Sequence, residues 1–475
     1  MIPTLREQAL TAFIDQLPEK INSEDEQQLQ MLKQYVVDPQ TSSQICSKIL
    51  ESKNKDPNLL GYFSNNFISS LPPVRLIHKA ELGYAELLTL FVTAFPKLKT
   101  LDLSDLSLTS LEGLPLSALE ELNLKGCTEL PAAEFYILSE KCPNLKKLNL
   151  SKTKIAGLIG LNLPHLEELT LEDCSNLPAE EFLKLKEKCP NLKKLNLRKT
   201  SINNLDGITL LFLEELTLEN CTGLPSEQFL KLKTNCPNLK KLDLAFTHIS
   251  SLSGLSLSRL EELNLYKDQE IPAEEFLKIQ ELCPHLRKLV LAYTTLTSLD
   301  GLHLVRLEEL VLFGAYDLPA KEFLKLQDLC PNLRKLDLTY TRIDSLDGLH
   351  LRHLEELHLK GCEDLLADEF LKIKVLCPQL KILSLWGTKI DRLDELKLLN
   401  LQTLILNYCQ ALGASEFVKL NINCPNLKIL DLSSTQFKSL EELNLAQLEV
   451  LHLFNLPCAI PQDLQSVFPH LKISI

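Results

Sequence analysis

Fourteen cysteines and ten histidines are the residues of this 475-residue chain best suited to metal binding, redox exchange or nucleophilic attack. Their spacing argues against all three. No Cys-x-x-Cys pair occurs, and the histidines do not cluster at the spacing metal ligands need. His353, His358 and Cys362 lie near one another, but a strand and its exit point alternate residues in different directions. Phosphate-binding, dinucleotide, zinc-protease, nucleophile-elbow and calcium-loop motifs are all missing. The expectation is therefore no catalytic residue, no cofactor, no metal and no enzyme.

The cysteines mark a repeat instead. Cys-Pro recurs at Cys142, Cys189, Cys236, Cys283, Cys330, Cys377 and Cys424, each step being 47 residues. A fixed period this strict predicts an array of stacked units. Equivalent cysteines two strands apart are then about 10 Å apart, beyond the ~7 Å that a disulfide spans. A second set, Cys127, Cys174, Cys221, Cys362 and Cys409, falls where Thr153, Thr200, Thr247, Thr294, Thr341, Thr388 and Thr435 stand half a unit away. Both types are expected to turn inward there and hydrogen-bond the neighbouring backbone, as packing groups rather than reactive ones.

Each 47-residue unit splits into two halves. A short half reads Leu145-x-x-Leu148-x-Leu150-x-x-Thr153-x-Ile155. A long half reads Leu166-x-x-Leu169-x-Leu171-x-x-Cys174-x-x-Leu177. Short halves start at Leu98, Leu145, Leu192, Leu239, Leu286, Leu333, Leu380 and Leu427. Long halves start at Leu119, Leu166, Leu213, Leu260, Leu307, Leu354, Leu401 and Leu448, and a strand stub follows at Leu471. The alternating leucines predict a strand in each half. The long half then continues with Pro178-Ala179-Glu180-Glu181-Phe182-Leu183-Lys184-Leu185, where proline, first-turn acids and helical apolar spacing predict a helix. Cys189-Pro190 stops it. The short half returns through segments such as Ser298-Leu299-Asp300-Gly301-Leu302, where Gly301 suits a tight bend.

This pattern resembles the leucine-rich repeat. The long half, through Cys174, Leu177, Phe182, Leu185 and Cys189-Pro190, is similar to the cysteine-containing class found in F-box substrate receptors. The strict alternation with a short threonine-type half looks more like long repeat proteins of bacteria that live inside eukaryotic cells. The resemblance implies an α/β solenoid, a curved horseshoe with parallel strands on the concave face and helices or turns on the convex face. Residues 1–71 are expected to form a helical N-terminal cap, 72–97 a degenerate first repeat, and 98–475 the solenoid of sixteen repeats plus a terminal strand. A cap is needed because a solenoid bares its core at each end.

Composition narrows the function. Lysine and arginine number 50 against 63 acids, a net charge of −13, which argues against a nucleic-acid partner. No apolar run approaches the ~20 residues of a membrane helix. The N-terminus lacks the pattern of a signal peptide. The expected location is cytoplasmic, or a host cytoplasm reached by a signal-less route. Short halves carry basic pairs such as Lys146-Lys147 and Arg334-Lys335, and long halves acidic pairs such as Glu167-Glu168 and Glu355-Glu356, predicting a cross-strand charge ladder that fixes register.

Beyond the ladder, the outward positions change from polar to apolar along the chain. Phe246, Tyr266, Val290, Tyr293, Val311, Phe313, Tyr340, Trp386 and Tyr408 form a candidate partner-binding surface, since aromatic side chains carry large contact area. The leading expectation is a scaffold that binds a protein partner, extending to a host-directed effector. The alternative is a substrate receptor of a cullin-type ubiquitin ligase. It rests on Leu5, Ala9 and Phe13, whose spacing is similar to the box that docks adaptors onto elongin and cullin; that family usually has cysteine where Ala9 stands and an aliphatic where Phe13 stands.

Overall fold

A leucine at every second position buries one edge of a short strand and leaves its neighbours outside, and the fold repeats this arrangement. The computed structural model describes residues 99–114, 116–394, 396–438, 447–456 and 471–474. The expected cap (1–71), the degenerate repeat (72–97) and the docking residues Leu5, Ala9 and Phe13 lie outside the described residues.

The chain divides into two compact units. The first runs to Leu224 and includes Thr234–Pro237; the second comprises Pro225–Lys233 and the chain from Asn238 onward. Strands β1 (Thr100–Asp102), β2 (Glu121–Asn123), β3 (Lys147–Asn149), β4 (Glu168–Thr170), β5 (Lys194–Asn196) and β6 (Glu215–Thr217) belong to the first. They pair in chain order, all parallel. The second unit holds β7 (Lys241–Asp243), β8 (Glu262–Asn264), β9 (Lys288–Val290), β10 (Glu309–Val311), β11 (Lys335–Asp337) and β12 (Glu356–His358). β13 (Ile382–Ser384), β14 (Thr403–Ile405), β15 (Ile429–Asp431), β16 (Val450–His452) and β17 (Lys472–Ser474) follow. These also pair parallel and in order. The central residue of each strand from β1 to β16 is a buried leucine.

The long-half return differs from the continuous helix that its spacing suggests. In most repeats it is a six-residue 3-10 segment followed by one α-helical turn, as in Ala179–Lys184 and Leu185–Lys188. The tighter segment lets Phe182 and Leu185, three residues apart, both face inward, and each is fully buried. In the repeat at Ala320–Phe323 the first segment is itself α-helical.

Gly301 lies in the expected tight turn, with Leu302 N donating to Leu299 O at 2.9 Å, and it is needed for a second reason as well. A Cβ on it would lie 2.2 Å from the Leu277 Cα and 2.4 Å from the Phe276 carbonyl oxygen, so glycine lets the short-half return lie directly on the preceding long-half backbone. Gly207, Gly254 and Gly348 make the same approach in their own repeats.

Three ladders of side chains tie each return to the one before it. The second glutamate of the long-half return reaches back to a leucine amide of the preceding short half. Glu181 Oε2 accepts from Leu158 N at 2.7 Å, and Glu322 Oε2 accepts from Leu299 N at 3.0 Å. These glutamates serve the adjacent unit as well as their own helical turn, which the sequence pattern did not suggest.

The strand-exit cysteines form the second ladder. Cys174 Sγ donates to Leu150 O at 3.0 Å, one repeat back. Thr153 is buried too and hydrogen-bonds the neighbouring backbone, and its hydroxyl lies 3.9 Å from the Cys174 sulfur of the next half. Thr153 Oγ1 donates at 2.7 Å to the same Leu150 carbonyl, three residues back in its own strand exit. The hydroxyl can reach that carbonyl locally, and the thiol bridges the repeats.

The Cys-Pro cysteines form the third ladder. Cys283 Sγ donates to Leu255 O at 3.2 Å, and Cys330 Sγ to Leu302 O at 3.2 Å. All twelve described cysteines are buried free thiols. Burial pushes the Cys189, Cys283 and Cys377 thiols up to about 12, so the reactive thiolate is scarce at neutral pH. Of the fourteen cysteines, thiol titration of the native chain is expected to label at most Cys46 and Cys458, which lie outside the described residues, and denaturation to expose the rest. Peptide mapping that found rapid native labelling of any of the twelve would contradict this packing.

Along the N-terminal ends of the strands the charge ladder is present. Lys147 Nζ lies 2.8 Å from Glu121 Oε1, and Lys288 Nζ 2.6 Å from Glu309 Oε1. Glu120 sits between Lys146 and Lys99, whose hydrogen bonds hold its carboxyl down to about 2. These groups are substantially exposed, so each pair adds little stability; slipping by half a unit would set like charges side by side.

Candidate functional site

The C-terminal ends of the strands in the second unit carry the aromatic residues. The chain leaves each strand through a leucine and then turns sharply, and the residue at that turn adopts the left-handed conformation. Asp173, Lys199 and Asn220 take this position in the first unit, with φ of 57°, 55° and 59°. Gly314, Gly361 and Gly387 take it in the second, at no steric cost. Phe246, Tyr293, Tyr340 and Tyr408 also take it, with φ of 57°, 56°, 53° and 61°. For a bulky side chain this region costs about 1–2 kcal/mol. Four large rings therefore stand where other repeats carry glycine, asparagine, aspartate or lysine.

The rings are consecutive. Phe246 and Tyr266 have centroids 5.3 Å apart, Tyr266 and Tyr293 5.7 Å, Tyr293 and Phe313 4.8 Å, and Phe313 and Tyr340 5.7 Å. Most are tilted or edge-on, the arrangement that the ring quadrupoles favour. Trp386 and Tyr408 stack at 5.9 Å as a second group. Lys360 links the two groups, its Nζ 3.0 Å from the Trp386 ring centre and 5.4 Å from that of Tyr340. Lys267 lies over the other end, 5.3–5.6 Å from Phe246, Tyr266 and Tyr293. Val290 and Val311 end adjacent strands as direct neighbours and are half-buried.

The nine residues singled out in the sequence thus lie on one side of successive repeats, and the rings among them pack mainly on one another. This mutual packing leaves most of the rings half-buried, while Tyr340 and Tyr408 remain 38% and 50% exposed. Sequence reasoning missed Tyr316, whose ring lies 6.0 Å from that of Tyr293 and is 47% exposed. It also missed Lys267 and Lys360, which look like ordinary surface lysines until the rings beneath them are placed. Gly314 and Gly361 were missed too: a Cβ there would lie 2.5 Å and 2.3 Å from the rings of Tyr293 and Tyr340. Burial, and then the neighbouring Tyr316 hydroxyl, raise the Tyr293 phenol above its ordinary value.

One inward position beside this row departs from its ladder. Asp268 stands where Cys174 and Cys221 stand in earlier repeats, and it is fully buried. Its Oδ1 accepts from Thr247 N at 2.9 Å and from His248 N at 3.1 Å, while Oδ2 has no hydrogen-bond partner. These bonds hold the turn in which both Phe246 and His248 have positive φ, of 57° and 59°. Asp268 is therefore a positioning residue for the first ring of the row.

No group of three or more histidine, cysteine or acidic side chains among the described residues could hold a metal ion. His358 Nε2 lies 2.8 Å from Glu356 Oε1, whereas Cys362 Sγ donates to Leu338 O and His353 is exposed, so these three diverge. No helix among the described residues is long and apolar enough to cross a membrane.

Comparison with known proteins agrees with this geometry. A family model described as a leucine-rich repeat matches residues 235–258. A search of curated proteins returns no match. Among solved structures, the chain is similar to TLR13 in its complex with ssRNA13, with a TM-score of 0.52 and 19% identity over 79% of this chain. It spans 64% of that protein's length, less than two thirds. The mouse RP105/MD-1 complex gives a TM-score of 0.50 and 18% identity, over 82% of this chain and 80% of that one. A leucine-rich repeat protein of Leptospira interrogans is 26% identical over 83% of this chain and 98% of its own, with a TM-score of 0.48. The first two share the fold.

Proposed function

Because the chain is a leucine-rich repeat protein, we propose that it is a protein-recognition scaffold that acts by binding rather than by catalysis, and that its partner is held on the row from Phe246 to Tyr408. The observation that carries this reading is the row of contiguous rings from Phe246 to Tyr340, linked through Lys360 to Trp386 and Tyr408, with Tyr340 and Tyr408 exposed. Packed rings are stiff, so a partner meets a surface whose ordering cost is already met. RP105, which shares the fold, is solved in complex with MD-1.

The proposal extends to a host-directed effector, on the alternation of short and long repeats. The ubiquitin-ligase alternative rests on Leu5, Ala9 and Phe13. One experiment separates the readings. The wild type and a Tyr293→Ala/Phe313→Ala/Tyr340→Ala variant are used to capture partners from eukaryotic lysate, and the affinity of each captured protein is then measured in purified form. The partner of the row is expected to bind the variant at least 100-fold more weakly, since buried aromatic anchors each contribute about 2 kcal/mol or more. Cullin components held equally by both would favour the ligase reading. Equal affinity of every captured protein for both chains would remove the row from the function.

A further inference from the structure

The N-terminal ends of the second unit's strands carry a recess distinct from the aromatic row. Lys240, Arg259, Arg287, Arg306, Arg334 and Lys381 line it, together with Glu261, Glu308, Glu355, His285 and His353. Six of these are permanent cations and three are carboxylates, an excess of three positive charges on a chain whose net charge is −13.

The cations fall into two sets with different origins. Lys240, Arg287, Arg334 and Lys381 stand at the basic rung of the charge ladder, a position that is basic in the first unit too, at Lys146 and Lys193. The ladder acids engage them: Arg287 pairs with Glu308 at 2.6 Å, Lys381 with Glu355 at 2.6 Å, and Arg334 with Glu355 as well. Stacking accounts for this set.

It does not account for the second. Arg259, Arg306 and His353 occupy the residue before the first leucine of three successive long halves. Ala118, His165, Phe212 and Asn400 occupy that position elsewhere, so the fold does not demand an arginine there. Arg259 donates to Asn238 Oδ1 at 2.5 Å, and Arg306, His285 and His353 have no partner among the described residues. All four are exposed.

We propose that this recess binds an extended acidic segment of a partner protein, in polyproline II conformation, with a carboxylate at every third residue. The spacing selects the conformation. Arg259, Arg306 and His353 are one full unit apart, two strands, or about 9.6 Å. A polyproline II helix has three residues per turn and rises about 3.1 Å per residue, so every third side chain lies on one face about 9.3 Å from the last. A β-strand places every third residue on alternate faces and does not match. The interleaved Glu261, Glu308 and Glu355 favour a peptide over a nucleic acid. They repel a continuous run of phosphates, whereas spaced carboxylates meet the arginines and leave neutral residues against the glutamates.

Fluorescence anisotropy tests this with a labelled peptide of five Glu-Pro-Ser triplets and the full chain at low salt. The expected result is saturable binding, weakened at least tenfold by Arg259→Ser/Arg306→Ser and unchanged by the aromatic triple variant. A peptide of the same composition with its five glutamates contiguous should bind more weakly. No binding by the wild type at millimolar peptide overturns the proposal, as does equal binding by the arginine variant. Loss of binding in the aromatic variant would move the peptide to the ring row. Tighter binding of a fifteen-nucleotide single-stranded RNA, lost in the arginine variant, would replace the acidic segment with nucleic acid. Circular dichroism of each variant separates loss of binding from loss of fold.

Discussion

Asp268→Asn is expected to make the protein more stable than the wild type by up to about 4 kcal/mol at pH 8, and to lose that advantage as the pH falls toward 4. Burial pushes the Asp268 carboxyl up from 3.8 to about 7, and the two amide hydrogen bonds to Oδ1 only partly oppose it. The folded state therefore holds a proton that the unfolded state releases. The stability linked to that proton is fully present below the unfolded value of 3.8 and falls as the pH rises to about 7, after which nothing more is lost. Asparagine keeps the acceptor for Thr247 and His248 and never ionises. Urea unfolding of both chains between pH 4 and 9 measures the difference directly, with the other carboxylates cancelling. Parallel curves for the two proteins would mean that Asp268 is ionised, or hydrated, in the folded state.

The second large effect is expected from Phe323→Ala, a loss of about 3–5 kcal/mol of unfolding free energy. Phe135, Phe182, Phe229, Phe276, Phe323, Phe370 and Phe417 occupy one position of the long half, and none is more than 1% exposed. The cavity left at Phe323 has little means of closing. Gly348 of the following return already lies against the Phe323 backbone, close enough that a Cβ on it would meet the carbonyl oxygen at 2.3 Å. In a solenoid each repeat is held by its neighbours, so a defect in the middle also weakens their coupling. Urea unfolding should show a lower midpoint and a broader transition. A change below 1 kcal/mol would mean that the neighbouring returns can collapse onto the cavity.

How much was legible in the sequence follows from what repeats. A leucine in the middle of each strand recurs at the same place in every unit, and the inward cysteines and alternating charges recur in most, so comparing one repeat with the next exposes them. The aromatic residues were visible for the opposite reason, as departures from the repeat at outward positions. The helical return was misjudged because apolar spacing of three residues is shared by a 3-10 segment and an α-helix. The turn at Gly301 was legible but its close approach to Leu277 was not, because a glycine that permits a close approach and one that permits a turn look alike in a sequence.

The sequence by itself determined the solenoid: its period, its leucine core, its parallel strands and the rungs of its charge ladder, all set by residues within a single unit. The tertiary structure alone decided what crosses from one unit to the next. It decided that Glu181 caps Leu158, that Cys174 bridges to Leu150, and that Lys360 lies over Trp386. It also decided that Tyr293 lies over Gly314, and that Arg306 stands beside a ladder already filled. These partners are separated by some twenty to thirty residues in the chain, and only the stacking of parallel strands about 4.8 Å apart brings them into contact.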